Sequence, residues 1–303
     1  VAFSCKKLKG KEFTMSTNTE IYFYDTEVKQ ATNLSKGNMG YDMNPRFSHT
    51  GKYIIWESMK KAGFESDKTN ITMFDFGTAK ASFLTNDFAE GASNLTWSLD
   101  DKNIYFIAPT KGTYQIYDLE LSSKKITQIT NGDHDCKSIA IGAKALIYAK
   151  TTMNKPQEIY NFSFTQNSES QVTFVNKKEL DKISVSKIER RMVKTTDGKE
   201  MLVWIILPPD FDPAKKYPTL LYCQGGPQSM VSCFYSFRWN FQLMAANGYI
   251  IVAPNRRGLP GFGREWNDAI SGDWGGQPMK DYLSAIDDAK TLPYVDGTRV
   301  GAV

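Results

Sequence analysis

Apolar and aromatic positions in the first 175 residues come in short runs broken by polar turns, and the pattern repeats. Four segments share an aromatic-rich run ending in Asp or Asn: IYFYD at 21–25, ITMFD at 71–75, QIYD at 115–118 and EIYN at 158–161. Each is followed by a polar turn and a second run, at 30–34, 81–85, 125–130 and 171–175. The anchors Asp25, Asp75, Asp118 and Asn161 lie 50, 43 and 43 residues apart. Between anchors, NPRFSHTGKYIIW at 44–56 matches SNLTWSLDDKNIYF at 93–106, and both read as strand, tight turn, strand. The turn residues are small or tolerate positive φ, as a hairpin needs. Four short strands per 43–50 residues is the period of a propeller blade. The pattern predicts a partial β-propeller of about four blades over 1–178, the first one cut into. An open β-sandwich and a complete four-bladed ring are the competing architectures.

The texture changes after residue 176. A polar stretch containing KKELDK leads to runs at 187–194 and 201–209, paired strands around the turn TDGK at 196–199. Two buried-type apolar runs follow at 217–223 and 248–254. Helices are predicted over 234–247, ending at Gly248, and over 279–291, where Tyr282, Leu283, Ile286 and Ala289 form a stripe. A last strand is predicted at 299–303. Apolar strands alternating with helices predict a mostly parallel α/β sheet over 179–303. Ligands of such sheets bind beyond the carboxyl ends of the strands. Two loops fall there, 224–228 (QGGPQ) and 255–263 (NRRGLPGFG).

Bulk composition narrows the function. The 303 residues suit two domains, with 41% hydrophobic and 23% charged residues. A net charge of +4 is too small and scattered for a nucleic-acid partner. The longest apolar stretch, 201–207, is far short of the roughly 20 residues of a membrane span. The chain opens on VAFSC, which reads as a strand in progress and shows no signal-peptide pattern. Cys5, Cys136, Cys223 and Cys233 have no metal-ligand spacing; buried thiols are expected, with no disulfide assignable. No metal and no cofactor is predicted. Asn33, Asn70, Asn94 and Asn161 begin Asn-x-Ser/Thr triplets, a pattern short enough to arise by chance, and glycosylation is not expected.

The Gly225-Gly226 pair directly after an apolar strand could turn backbone N–H groups toward a reacting oxygen, as an oxyanion hole does, or form a plain turn. Four ordered segments carry a resemblance: KYPTLLYCQGGPQ at 216–228, NRRGLPGFG at 255–263, AISGDWG at 269–275 and RVGAV at 299–303. Together they resemble the prolyl oligopeptidase family of serine peptidases, in its dipeptidyl peptidase IV-like and acylaminoacyl peptidase-like branches. The resemblance implies a seven- or eight-bladed propeller joined to an α/β-hydrolase domain, so this chain would hold closing blades and the first half of that domain. In the family the RVGAV strand runs into Gly-x-Ser-x-Gly. That motif is absent here, and the resemblance places the Ser-His-Asp triad beyond Val303. No catalytic residue is assigned within the chain, which is expected to be inactive alone. His49 and His134 read as solvated turn histidines.

By the same resemblance, Gln224 stands where the branches carry Tyr or His. It would donate through its amide or only shape the strand end, leaving backbone N–H groups near Gly225 or Gly226 as oxyanion donors. Arg256 and Arg257 either brace the loops or meet a substrate carbonyl. Asp273, Trp274 and Asp281 read as scaffold, an aromatic plug and a carboxylate near a helix start. The implied function is cleavage of short peptides, with dipeptide release from free N-termini. The alternatives are a non-catalytic propeller binding protein with an incomplete hydrolase domain, and an esterase. Family analogy implies a periplasmic or extracellular location, with cytoplasmic members known. Unpaired edges imply a need for the rest of the protein or for self-association.

Overall fold

The computed structural model describes residues 1–226 and 228–303. The repeat appears as antiparallel units. The first has three strands, Ala2–Cys5, Glu20–Asp25 and Gln30–Asn33. The second has four, Asp42–Phe47, Tyr53–Ser58, Asn70–Asp75 and Lys80–Phe83. A third (Ser93–Trp97, Asn103–Thr110, Thr113–Glu120, Ile126–Gln128) and a fourth (Asp135–Ile141, Ala145–Thr152, Lys155–Ser163, Ser168–Gln171) merge into one eight-stranded sheet through a parallel bridge between Tyr114 and Asp135. Among the described residues no sheet closes on itself.

One hydrogen-bond staple recurs in every unit. A hydroxyl just past the last strand accepts from an isoleucine N–H fourteen residues earlier: Ser35 from Ile21, Thr85 from Ile71 and Thr130 from Ile116 at 2.9 Å, and Thr173 from Ile159 at 2.8 Å. The neighbouring N–H of Leu34, Leu84, Ile129 or Val172 returns to the same isoleucine's carbonyl at 2.8 Å. A buried backbone N–H without an acceptor costs about 1–3 kcal/mol, so the Thr-rich end of each unit closes its outer pair. The hairpin turns match as expected: Ser48 and Ser98 accept from Tyr53 and Asn103, and Gly51 and Asp101 take the positive φ.

After a single helical turn at Lys177–Leu180, the second sheet begins. Its strands are β1 (Ile188–Lys194), β2 (Glu200–Ile206), β3 (Tyr217–Leu221), β4 (Ile250–Pro254) and β5 (Val295–Ala302). Their spatial order is β1-β2-β4-β3-β5; β1, β2 and β4 pair antiparallel, while β4-β3 and β3-β5 are parallel. β5 thus lies at the sheet edge beside β3, with β4 one strand away. Helices α1 (Phe241–Ala246), α2 (Arg264–Asp268) and α3 (Gln277–Lys290) cover the faces. α3 buries Tyr282, Ala285, Ile286 and Ala289 against Val203, Ile205, Val252 and Val295, while Leu283 of the predicted stripe points to solvent. The other face packs Trp204, Ile206, Ile251 and Ala253 against Phe241 and Ala245, and Met153 of the repeat joins that cluster.

The predicted helix over 234–247 is half the expected length. Asn240 caps α1 by accepting from Gln242 and Leu243, and Gly248 ends it at φ 85°. Residues 230–239 form neither helix nor strand, and within them Val231 and Cys233 are buried and held by distant side chains.

Candidate active site

The carboxyl ends of β3, β4 and β5 converge. Val303 accepts from Cys223 N–H at 2.8 Å and donates to Leu221 carbonyl at 2.9 Å, so β5 ends beside the start of the 224–226 loop. Gln224 folds onto its own loop: its Nε2 donates to Gly225 carbonyl at 3.1 Å, and its Oε1 is buried without a partner. The Gln224 carbonyl is held twice, by Arg256 Nη2 at 3.2 Å and Tyr282 hydroxyl at 3.0 Å. Among the described residues the Gly225 and Gly226 N–H groups donate to no protein acceptor. Gly226 has φ 118°, which excludes an L side chain; at Gly225 a Cβ would meet open space. Only one of the two glycines is therefore required by backbone geometry. Pro227 lies outside the described residues.

Arg256 and Arg257 follow Asn255 at the end of β4, and all three are buried. Arg256 also reaches Tyr282 hydroxyl through Nε at 3.1 Å and Arg257 carbonyl through Nη1 at 2.5 Å. Arg257 sits between two carboxylates. Its Nε donates to Asp281 Oδ2 at 3.0 Å, and both terminal nitrogens reach Asp197 at 2.6 Å. Its backbone N–H adds a bond to Asp281 at 2.9 Å. Hydrogen bonding to Asp197, then to Asp281, outweighs burial and holds the guanidinium well above its ordinary range; the same pairing with Arg257 drives the Asp197 carboxyl far down. Arg257 thus ties the end of β4 to the β1–β2 turn and to α3. Asp281, fully buried within α3, is the anchor of this brace.

Trp274 and His134 depart from expectation, whereas Asp273 does not. Trp274 is 67% exposed and plugs nothing among the described residues. Asp273 is a carboxylate at the start of α3 and accepts from Gln277 N–H at 3.0 Å. His134 is buried, and burial followed by the nearby Lys150 charge lowers its pKa to about 4. His49 does face a turn: its ring and backbone bind Asp101 at 3.0 and 2.8 Å, and it stays half-exposed. Neither histidine adjoins the loops described here. All four cysteines are free thiols, with Cys136 and Cys233 buried and Cys223 exposed against expectation. Among the described residues no cluster of His, Cys, Asp or Glu could hold a metal, and no helix is long and apolar enough to cross a membrane.

The repeat reaches this site directly. Glu90 accepts from Gly261 N–H at 2.9 Å and Gly263 N–H at 2.6 Å; Gly261 carbonyl accepts from Lys111 N–H at 2.8 Å. Ser66 carbonyl accepts from Arg264 at 3.1 Å and Asn267 at 3.3 Å, and Ser66 hydroxyl meets Gln228. Glu90, Ser66, Gly263, Arg264, Asn267 and Gln228 line a cavity of about 210 Å³ between the repeat and the 255–263 loop, together with Asp67, Lys68 and Pro260. No sequence signal singled out Glu90 or Ser66, and the helical stripe marked Tyr282 for its ring and not its hydroxyl, because each owes its role to a partner far away in the chain.

Residues 235–303 match the model of the prolyl oligopeptidase family. Dipeptidyl-peptidase 5 of Porphyromonas gingivalis is 44% identical over 303 residues, all of this chain and 44% of that protein. Dipeptidyl-peptidase 5 of Schizosaccharomyces pombe is 25% identical over 292 residues, 95% of this chain and 42% of that protein. Among solved structures, the Pyrococcus horikoshii acylaminoacyl peptidase superposes with a TM-score of 0.80 at 22% identity, covering 94% of this chain and 43% of its own. Porphyromonas gingivalis dipeptidyl peptidase 4 gives 0.68 at 19%, covering 94% and 41%. At these identities the structural likeness shows the fold alone, that of propeller-plus-hydrolase enzymes. The chain spans about 44% of the length of the dipeptidyl-peptidase 5 relatives from Porphyromonas.

Proposed function

We propose that this chain, which belongs to the prolyl oligopeptidase family, is part of a serine peptidase that releases dipeptides from the free N-termini of short peptides. The observation that carries this reading is the unbroken match of all 303 residues, at 44% identity, to a dipeptidyl-peptidase 5. In this reading residues 1–178 form about four propeller blades, the first lacking a strand, and residues 179–303 form the opening half of the hydrolase domain. The propeller limits access to short peptides. No Gly-x-Ser-x-Gly occurs in the 303 residues, so the nucleophile and its Asp and His partners come from sequence outside them. The same proposal includes export to the periplasm or cell surface.

This chain's own contribution is oxyanion stabilisation and support. Among the described residues the N–H groups of Gly225 and Gly226 donate to no protein acceptor, and they are the donors proposed for the developing oxyanion. Gln224 shapes the loop, because its amide nitrogen is turned to Gly225 carbonyl. Arg256 and Arg257 brace the strand ends, since their geometry spends both guanidinium groups on protein partners. The test is paired. The full-length gene product should hydrolyse dipeptidyl-4-nitroanilides and be labelled once by an active-serine phosphonate, while the 303-residue chain alone should not be labelled. A full-length product that is labelled and cleaves esters but no peptide would favour an esterase. A full-length product without labelling would favour the non-catalytic binding protein, and stoichiometric labelling of the chain alone would refute the placement of the nucleophile.

A further inference from the structure

A buried carboxylate of the repeat is wired to the loop that carries the proposed oxyanion donors. Asp135 begins a strand of the fourth unit and is 1% exposed. Within the repeat, its Oδ1 accepts from Tyr114 N–H at 3.2 Å. Its other donors come from the second half of the chain: Ser232 hydroxyl to Oδ2 at 2.6 Å and Cys233 N–H to Oδ1 at 3.2 Å. An ionised carboxylate only accepts, so burying one forces donors to come to it. Residues 232 and 233 are those donors, and they lie in the stretch before α1 that no strand or helix positions.

The next links are equally short. Val231 exchanges two hydrogen bonds with the Asn255 side chain, at 3.0 Å each, and its carbonyl also accepts from Trp204 Nε1 at 2.9 Å. Asn255 is fully buried and immediately precedes Arg256. Arg256 and Tyr282 then fix the Gln224 carbonyl. Every bond along this path lies between buried or half-buried groups, where displacement has no solvent to absorb it.

We propose that Asp135 is a positioning residue for the 224–226 loop, acting from the repeat through residues 231–233, Asn255 and Arg256. This rests on the peptidase reading only for its activity readout; the mechanical part stands on the bonds above. Displacing catalytic donors by about 1 Å can cost on the order of a hundredfold in rate. Donors that act on a developing oxyanion affect the transition state more than the bound substrate. A lost anchor should therefore appear in kcat and leave KM nearly unchanged.

The experiment uses the full-length protein carrying Asp135→Ala or Asp135→Asn, assayed on a dipeptidyl-4-nitroanilide and by hydrogen exchange. Asp135→Ala should lower kcat about tenfold or more with KM within about twofold. It should also speed exchange of the Val231, Cys233, Asn255 and Arg257 amides, while the pairing of Glu20–Asp25 with Gln30–Asn33 stays protected. Asp135→Asn keeps the shape and an acceptor oxygen and should restore most of kcat. Unchanged kcat and unchanged exchange at 231–233 and 255–257 in a folded Asp135→Ala protein would overturn the proposal. So would a uniform rise in exchange with no selective effect, which is the mark of a merely structural residue. If Asp135→Ala does not fold, Ser232→Ala and Tyr282→Phe are read by the same two measurements and the same criteria. A wild-type protein without peptidase activity defeats the functional reading and leaves hydrogen exchange to judge the wiring.

Discussion

Replacing Arg257 by Met should be among the most damaging single changes in the second sheet, and the structure says which of its two ion pairs is responsible. The guanidinium lies between Asp281, fully buried, and Asp197, whose side chain is 37% exposed. A half-exposed pair is screened by water and contributes at most about 1 kcal/mol. Removing one partner of a buried pair strands the other charge and costs about 3–5 kcal/mol. Arg257→Met should therefore cost about 3–5 kcal/mol, nearly all from Asp281, whereas Asp197→Ala should cost about 1 kcal/mol or less. The double variant Arg257→Met/Asp281→Leu should recover much of the loss, because an apolar pair no longer strands a charge. Recovery stops about 1–3 kcal/mol short of wild type, since the Arg257 N–H loses its acceptor on Asp281. Urea unfolding of wild type and these three variants, followed by Trp fluorescence, supplies the comparison. The reasoning fails if Arg257→Met proves no worse than Asp197→Ala, or if the double variant is less stable than Arg257→Met.

His134 and Asp135 are neighbours whose titrations oppose each other. Burial, followed by the Lys150 charge, lowers His134 to about 4, so its contribution grows as pH rises from about 4 to 6.5. Burial, against the hydrogen bonds from Ser232 and Tyr114, raises Asp135 to about 6, so its contribution declines as pH rises from about 4 to 6. Asp135→Asn should expose the histidine slope, giving a urea midpoint that climbs between pH 4 and 6.5; His134→Gln should give the reverse tilt, and profiles parallel to wild type in both would contradict the pairing. Thr130 accepts from Ile116 and donates to Gln115 Oε1 at 2.7 Å within a buried site, so Thr130→Val should cost about 1–3 kcal/mol. Thr173→Val, at a more exposed copy of the same staple, should cost visibly less in the same unfolding assay, and equal costs would argue against burial as the cause.

The repeat was readable because its period is written in residue types that favour strand, turn and strand. An aromatic run ending in Asp or Asn, a turn and a Thr-rich run recur at 43 or 50 residues, and each became a stapled antiparallel unit. The order of the second sheet was not readable from periodicity, though its strands were, because buried apolar runs do not name their neighbours. The carboxyl-end rule led to Gln224 and to the Arg256-Arg257 pair. It could not say that Arg257 faces Asp197, sixty residues earlier, or that Tyr282 serves through its hydroxyl as well as its ring. The expected helix over 234–247 forms only over 241–246. Aromatic spacing there could not show that Asp135 and Asn255 hold the preceding residues 231–233 from across the molecule. His134 was misplaced because the polar turn around it gives no hint that the chain buries it.

The units of the repeat differ mainly in one place. Two residues join the middle strands of the third and fourth units, at 111–112 and 153–154; eleven join those of the second, at 59–69, and fourteen join the first two strands of the first unit, at 6–19. The eleven contain Ser66, which meets Arg264, Asn267 and Gln228, and Asp67, which pairs with Arg264. The fourteen-residue interval between each isoleucine and its hydroxyl, by contrast, never varies. Length varies outside that interval, and in the second unit the added residues form a finger that reaches α2 and Gln228. Shortening 59–69 to a two-residue turn would leave the unit's strand pairing and staple in place while removing one wall of the chamber.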